Sequence, residues 1–409
     1  MKTNLIYILT LSILLAVNAA AQRQSVLIAP QTTDPEITTN LNNHYVSLNR
    51  SIASKNQLFV FFAGTGGVAF NYLEINNTAA DLGFHAVNLN YPNDEAVNEL
   101  CQPFDLDCCG NVRLEVKDGT DRTPLVSVNR ANSIENRLIK LLIFLRNQSP
   151  NDNWGQFLNG DLTVNWSKII VSGHSQGGGH AGIIGRYHAV VRVVMFSWHD
   201  FSGRLNAPTN WIAFPDSTPN ASTPDKFWGF SHLRDDKINF NILSTRVWPA
   251  FGIPQYGAIV NVDAQNPPYG NTHSLTTDLP CEVAHGCTIA DGRLTRLPSG
   301  VPVYKPVWEY LLSNTTSPMS LTSLTLLRSG TAVGSQLVGL SSKYYEIRIN
   351  GNGFDQSAAV IINGTAVPTE FLSTSELKAK LLAGTMKAVG TSSVQIRNLS
   401  NNLSNSLSF

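Results

Sequence analysis

The stretch that most constrains this chain is Lys168-Ile169-Ile170-Val171-Ser172-Gly173-His174-Ser175-Gln176-Gly177-Gly178-Gly179. An apolar run of strand length meets a glycine-rich turn, and Ala181 to Gly185 can begin a helix at once. Other segments keep the same rhythm. Gln57 to Phe62 is a buried-strand pattern ending in Ala63-Gly64-Thr65-Gly66-Gly67, Phe84 to Leu89 is a second strand, and Val191 to Phe196 a third. Between them, Ile134, Leu138, Leu141, Leu142 and Leu145 make the apolar stripe of a helix, for which Asn132 and Glu135 read as a capping box. Strand, helix, strand in this order predicts a mostly parallel sheet with helices on both faces.

The pattern changes near Leu312. Downstream, short alternating runs at Tyr344–Ile349, Ala359–Ile362, Glu376–Leu381 and Val394–Arg397 are separated by Asn350-Gly351-Asn352-Gly353 and Asn363-Gly364. Strands so spaced predict a small β-sandwich. Its polar, proline-ended linker is Ser313-Asn314-Thr315-Thr316-Ser317-Pro318.

Met1-Lys2, the apolar run Leu5 to Val17 and Ala19-Ala20-Ala21 read as a secretory signal peptide over residues 1–21. The mature chain is then expected to be secreted, periplasmic or at the cell surface. Only 14% of the full chain's 409 residues are charged, with 29 Lys+Arg against 29 Asp+Glu, so no basic footprint for nucleic acid is expected. In an oxidising compartment, Cys281 should pair with Cys287, and Cys101 with Cys108 or Cys109. The cysteine and histidine spacing matches no zinc site, and neither metal nor cofactor is expected.

Gly173-His174-Ser175-Gln176-Gly177 is a G-x-S-x-G sequence. A serine hydroxyl is a weak nucleophile, so Ser175 would need a base, an acid to orient it, and N–H donors for an oxyanion. The turn Gly64-Thr65-Gly66-Gly67 lacks the lysine of a phosphate loop, so its glycines suit an oxyanion-binding turn, with Thr65 and Gln176 contributing backbone N–H groups. Asp235 follows the predicted strand Phe227–His232 and is the first choice of acid, with Asp236 second and Asp200 and Asp216 behind. As a common helix cap, aspartate at either of the first two positions has an alternative reading. Two histidines follow in chain order: His285, preferred as base, and His273, which opens a strand-like run. His180, His199 and His232 read as structural or pocket-lining, and Trp198, Trp211 and Trp228 as either core or pocket.

The segments Val171 to Gly178 and Phe62 to Gly67 resemble the α/β-hydrolase superfamily, and the tail around Ile349 to Phe354 and Val360 to Gly364 is similar to immunoglobulin-like IPT/TIG modules. The resemblance implies a hydrolase domain over 22–312, a linker over 313–318 and a sandwich over 319–409. It also implies a triad of Ser175, Asp235 and one of the two histidines, with Thr65 and Gln176 at the oxyanion site. The expected substrate is a small-molecule or polymeric ester. A peptidase or amidase using the same triad, and a catalytically silent surface-binding or adhesion protein, are the alternatives. The C-terminal module is a candidate for contact with carbohydrate or a cell surface.

Overall fold

Leu58-Phe59-Val60-Phe61-Phe62 is apolar at every position, which a strand requires only when both faces are covered. In the structure, a computed structural model, Leu58, Val60 and Phe62 join one core and Phe59 and Phe61 another. Ile169 and Val171 divide from Ile170 in the same way, as do Val193 and Met195 from Val194 and Phe196. The structure describes residues 23–213, 221–263, 265–313, 320–328, 331–334, 345–352, 354, 358–373, 376–381, 392–397 and 403–408. The signal segment 1–21, Asp216 and residues 314–318 of the linker fall outside them.

Apart from a short antiparallel pair, Phe201–Ser202 with Ala207–Pro208, the described strands up to residue 277 are β1 (Gln24–Ile28), β2 (His44–Leu48), β3 (Leu58–Phe62), β4 (His85–Leu89), β5 (Ile169–His174), β6 (Arg192–Phe196), β7 (Phe227–His232), β8 (Val260–Asn261) and β9 (Ser274–Thr277). They form one sheet in the order β1-β2-β4-β3-β5-β6-β7-β9-β8. The pairs β1/β2 and β2/β4 are antiparallel and the remainder parallel. Helices α1 (Leu73–Asp81), α2 (Cys108–Asp118), α3 (Ile134–Gln148), α4 (Gln176–Tyr187) and α5 (Lys305–Ser313) supply the cover. Leu138, Leu141 and Leu142 of α3 and Ile183 and Ile184 of α4 enter the first core; Ile75 and Ala79 of α1 and Trp308 and Leu311 of α5 enter the second. The mostly parallel sheet fits an α/β-hydrolase architecture.

Two local expectations change. Ser133, not Asn132, caps α3, its hydroxyl accepting from the Asn136 N–H, while the Asn132 side chain reaches back to the N–H groups of Thr38 and Thr39. Glu135 is drawn off to Lys117 and Arg130, which removes it from any capping box. Ser313 is the last residue of α5 rather than the start of the linker.

Beyond it lie β10 (Ser320–Arg328), β11 (Thr331–Gly334), β12 (Tyr345–Asn352), β13 (Ala359–Ile362), β14 (Thr365–Val367), β15 (Thr369–Ser373), β16 (Glu376–Leu381), β17 (Ser393–Arg397) and β18 (Leu407–Ser408). They form two antiparallel sheets, β11-β10-β12-β16-β15 and β14-β13-β17-β18. Ile347, Ile349, Leu377 and Ala379 of the first share a core with Val360, Ile362, Val394 and Ile396 of the second.

In the large sheet, the chain leaves β3 toward β4 on one side and later leaves β5 toward β6 on the other. The carboxyl ends of β3 and β5 therefore flank a topological switch point, where such sheets open a crevice. The turns after β3, β5, β6, β7 and β9 gather at that edge, bringing Gly64–Gly67, Ser175, Asp235 and the loop of His285 to one end of the molecule.

Candidate active site

Ser175 sits between β5 and α4 with φ +54° and ψ −124°, a left-handed conformation that a side chain adopts only when its surroundings enforce it. They do so through backbone. The Ser175 N–H donates to the Phe196 carbonyl at 2.9 Å, and its own carbonyl accepts from the Gly178 N–H at 2.9 Å. A Cβ on Gly173 would come within 2.3 Å of the Gly177 backbone, and one on Gly177 within 2.1 Å of the Phe62 carbonyl oxygen. Both flanking glycines are thus required by close approach, and the serine lies against the end of β3.

The Gly64–Gly67 turn is equally fixed. Asn93 Nδ2 donates to the carbonyls of Gly64 and Gly67 at 2.7 and 2.9 Å, and the Tyr91 hydroxyl to that of Ala63 at 2.7 Å. A Cβ on Gly64 would stand 3.2 Å from that of Ser175, so the turn borders the serine directly. Thr65 Oγ1 donates to Gln176 Oε1 at 2.8 Å, tying together the two residues expected to offer oxyanion donors. Gln176 is also the first residue of α4, where backbone N–H groups have no intrahelical acceptor.

Asp235 and His285 meet. His285 Nδ1 lies 2.9 and 3.1 Å from the two Asp235 carboxylate oxygens, the Asp235 side chain being fully buried and that of His285 15% exposed. Asp235 Oδ1 also accepts from the N–H groups of Lys237 and Ile238, each at 2.9 Å. Burial alone would raise its pKa; the His285 bond and these donors outweigh it and hold the carboxyl below its ordinary value. The functional and turn-capping readings of Asp235 are therefore the same geometry. Asp236 has a separate place, accepting from the His285 backbone N–H at 3.1 Å.

His273 is elsewhere. Its ring is stacked between Trp228 and Tyr256, with centroids 3.5 and 4.7 Å away, and Nδ1 bonds the carbonyl of Phe227 at the opposite, amino-terminal end of β7. Asp200 is also committed: Arg113 donates to both its oxygens at 2.7 Å, and Trp198 and Trp211 add their indole N–H groups at 3.2 and 3.0 Å. Burial would lower the Arg113 pKa, but Asp200 raises it. Arg113 Nη1 also donates to the Gln176 carbonyl at 2.9 Å, bracing α4 from below. Trp198, Trp211 and Trp228 are thus packed among structural partners. His232 bonds Leu279 and Arg234, His180 is buried, and His199 is half-buried.

Disulfides join Cys101 to Cys108 and Cys281 to Cys287, leaving Cys109 as a buried thiol whose pKa burial raises. Among the described residues, one cluster has metal-ligand proximity, His232 with Cys281 and Cys287, and both of its sulfurs are in the disulfide. Among the same residues, no helix is long and apolar enough to cross a membrane.

The sequence reading missed three elements of this site: Arg113 as the brace of α4, Asn93 as the clamp on the glycine turn, and His174, described below. Asn93 and Arg113 are buried polar groups distant in sequence from what they hold, and no local motif marks them.

No family profile and no curated protein matches the chain. Among solved structures, a proposed dienelactone hydrolase from Klebsiella pneumoniae subsp. pneumoniae MGH 78578 is similar at 11% identity and a TM-score of 0.35, over 71% of this chain and 95% of that one. A hyperthermophilic esterase from the archaeon Pyrobaculum calidifontis is similar at 14% identity and a TM-score of 0.22, over 44% of each chain.

Proposed function

We propose that this chain is an exported serine hydrolase that cleaves a carboxylic ester, with Ser175 as nucleophile, His285 as base and Asp235 as the acid that orients it. The observation that carries the reading is the Asp235–His285 bond, with the His285 carbonyl 2.8 Å from Nε2 of His174, the residue before a serine held in a strained strand-to-helix turn. An Nδ1–H donated to Asp235 leaves the Nε2 lone pair of His285 to take a proton. Ser175 Oγ attacks the ester carbonyl as its proton passes to Nε2. The backbone N–H groups of Gln176 and Thr65 stabilise the oxyanion, and Nε2 returns the proton to the departing alcohol. Water, activated by the same histidine, then releases the acid from the acyl-enzyme.

The low charge of the chain leaves specificity to pocket shape rather than to electrostatic steering. The two C-terminal sheets are read as an IPT/TIG-like, immunoglobulin-type module that contacts carbohydrate or a cell surface.

A fluorophosphonate probe should label Ser175 alone. Ser175→Ala should hydrolyse p-nitrophenyl acetate about ten-thousand-fold more slowly or worse, since only binding and the oxyanion donors remain. Equal rates for the two proteins would end the proposal. Faster turnover of peptide amides than of esters would shift it to a peptidase, and failure of the probe to label would favour a silent scaffold.

A further inference from the structure

His174, the residue before the serine, plays no part in the chemistry proposed above, yet its 5% exposed ring makes two directed hydrogen bonds. Nε2 is 2.8 Å from the main-chain carbonyl oxygen of His285. A carbonyl only accepts, so Nε2 carries the proton and Nδ1 presents its lone pair. The Tyr72 hydroxyl, 3.0 Å from Nδ1, must then donate to it, and that hydroxyl in turn accepts from the Gly64 N–H at 3.3 Å.

We propose that His174, with Tyr72 behind it, is a positioning residue that sets the distance between the serine turn, the oxyanion turn and the backbone of the base. The inference rests on the serine-hydrolase reading. The chain runs Gly64 N–H to Tyr72, Tyr72 O–H to His174 Nδ1, and His174 Nε2–H to the His285 carbonyl, with every donor and acceptor in one sense. Together with Asp236 on the His285 N–H and Asp235 on its ring, it fixes that residue at three points. The two imidazoles lie side by side, with centroids 4.7 Å apart.

The relay works only while His174 is neutral, because a second ring proton would face the donor hydroxyl of Tyr72. Burial first, and the neighbouring His285 second, push its pKa down to about 3. Protonation of His285 during turnover therefore does not spread to it. The bond to Tyr72 also occupies the Gly64 N–H, which leaves the next residue, Thr65, to supply the oxyanion donor.

The test uses three variants of the full-length protein. His174→Leu removes both bonds, His174→Gln keeps an amide N–H at the reach of Nε2, and Tyr72→Phe removes only the hydroxyl. On p-nitrophenyl acetate, kcat should fall about 10–100-fold in His174→Leu with KM within about twofold. His174→Gln should recover most of the loss, and Tyr72→Phe, which keeps the ring and is the safest to fold, should lose about 3–10-fold. Hydrogen exchange over residues 281–290 should quicken in His174→Leu and Tyr72→Phe. Wild-type kcat with unchanged exchange in Tyr72→Phe would overturn the relay, as would equal kcat values for His174→Gln and His174→Leu. An inactive, unlabelled wild-type protein would instead overturn the hydrolase reading, and exchange alone would then decide whether the tie exists.

Discussion

The serine turn and the loop of His285 are held in place by different means. The turn from β5 into α4 is fixed chiefly by backbone contact: glycines at 173 and 177 let it lie against Phe62, and the Ser175 N–H and carbonyl bond the main chain of Phe196 and Gly178. The loop around His285 contains little regular structure and is held by side chains from afar. Asp235 and Asp236 reach it across about 50 residues, His174 across 111, and the Cys281–Cys287 disulfide closes it on itself. Farther along, Asp291 accepts from the N–H of Leu73 at 2.5 Å and of Glu74 at 3.3 Å, anchoring the same segment to the start of α1. Damage to the turn should therefore cost folding, whereas damage to the loop should cost turnover while leaving most of the fold standing.

The largest effect on that contrast should come from Asp235→Asn. The amide oxygen can still accept from Lys237 and Ile238, so the thermal midpoint should hold, but the imidazole loses the partner that fixes its tautomer. Turnover should drop on the order of ten-thousand-fold in a kcat measurement. Gly177→Ala tests the other region. A methyl group 2.1 Å from the Phe62 carbonyl oxygen must displace backbone, at a cost of about 3 kcal/mol, which denaturant titration would read as a clear fall in stability. A variant that kept wild-type stability would show that the backbone around Phe62 and Gly177 yields to a methyl group at little cost.

Opening the Cys281–Cys287 bridge with paired serine substitutions should cost about 2 kcal/mol by the loop-closure relation and lower kcat more than it raises KM. The smallest effect is expected from His273→Phe, which should keep turnover within about twofold. Burial first, opposed by its bond to Phe227, lowers the His273 pKa to about 4. The unfolded chain, titrating near 6.5, then takes up the proton first, so this residue's contribution to stability is complete above about pH 6.5. It is lost as pH falls toward 4, by roughly 1 kcal/mol per pH unit. Urea titrations at pH 7 and pH 5 should show a shallower loss in His273→Phe than in wild type; identical slopes would remove His273 from the acid response.

The parallel sheet and the serine turn were legible because each is written in adjacent residues: an apolar run without alternation demands two covered faces, and small residues around Ser175 demand a tight approach. The capping of α3 was misread by one position because Glu135 is claimed by Lys117 and Arg130, which are distant or unmarked in the pattern. The choice between His273 and His285 could not be made by chain order, since both follow Asp235.

By itself, then, the sequence determined a strand, a glycine turn carrying Ser175, a helix, and the sheet that such a unit must join, because these follow from local sterics and from the period of apolar residues. Only the tertiary structure decided which histidine meets Asp235. That choice depends on which end of β7 each ring reaches, and His273 is stacked at the amino-terminal end while His285 is bonded at the carboxyl end. The same holds for Asp236, Arg113 and His174: each acts on a group that is near in space and far along the chain, a relation that a linear order of residues does not contain.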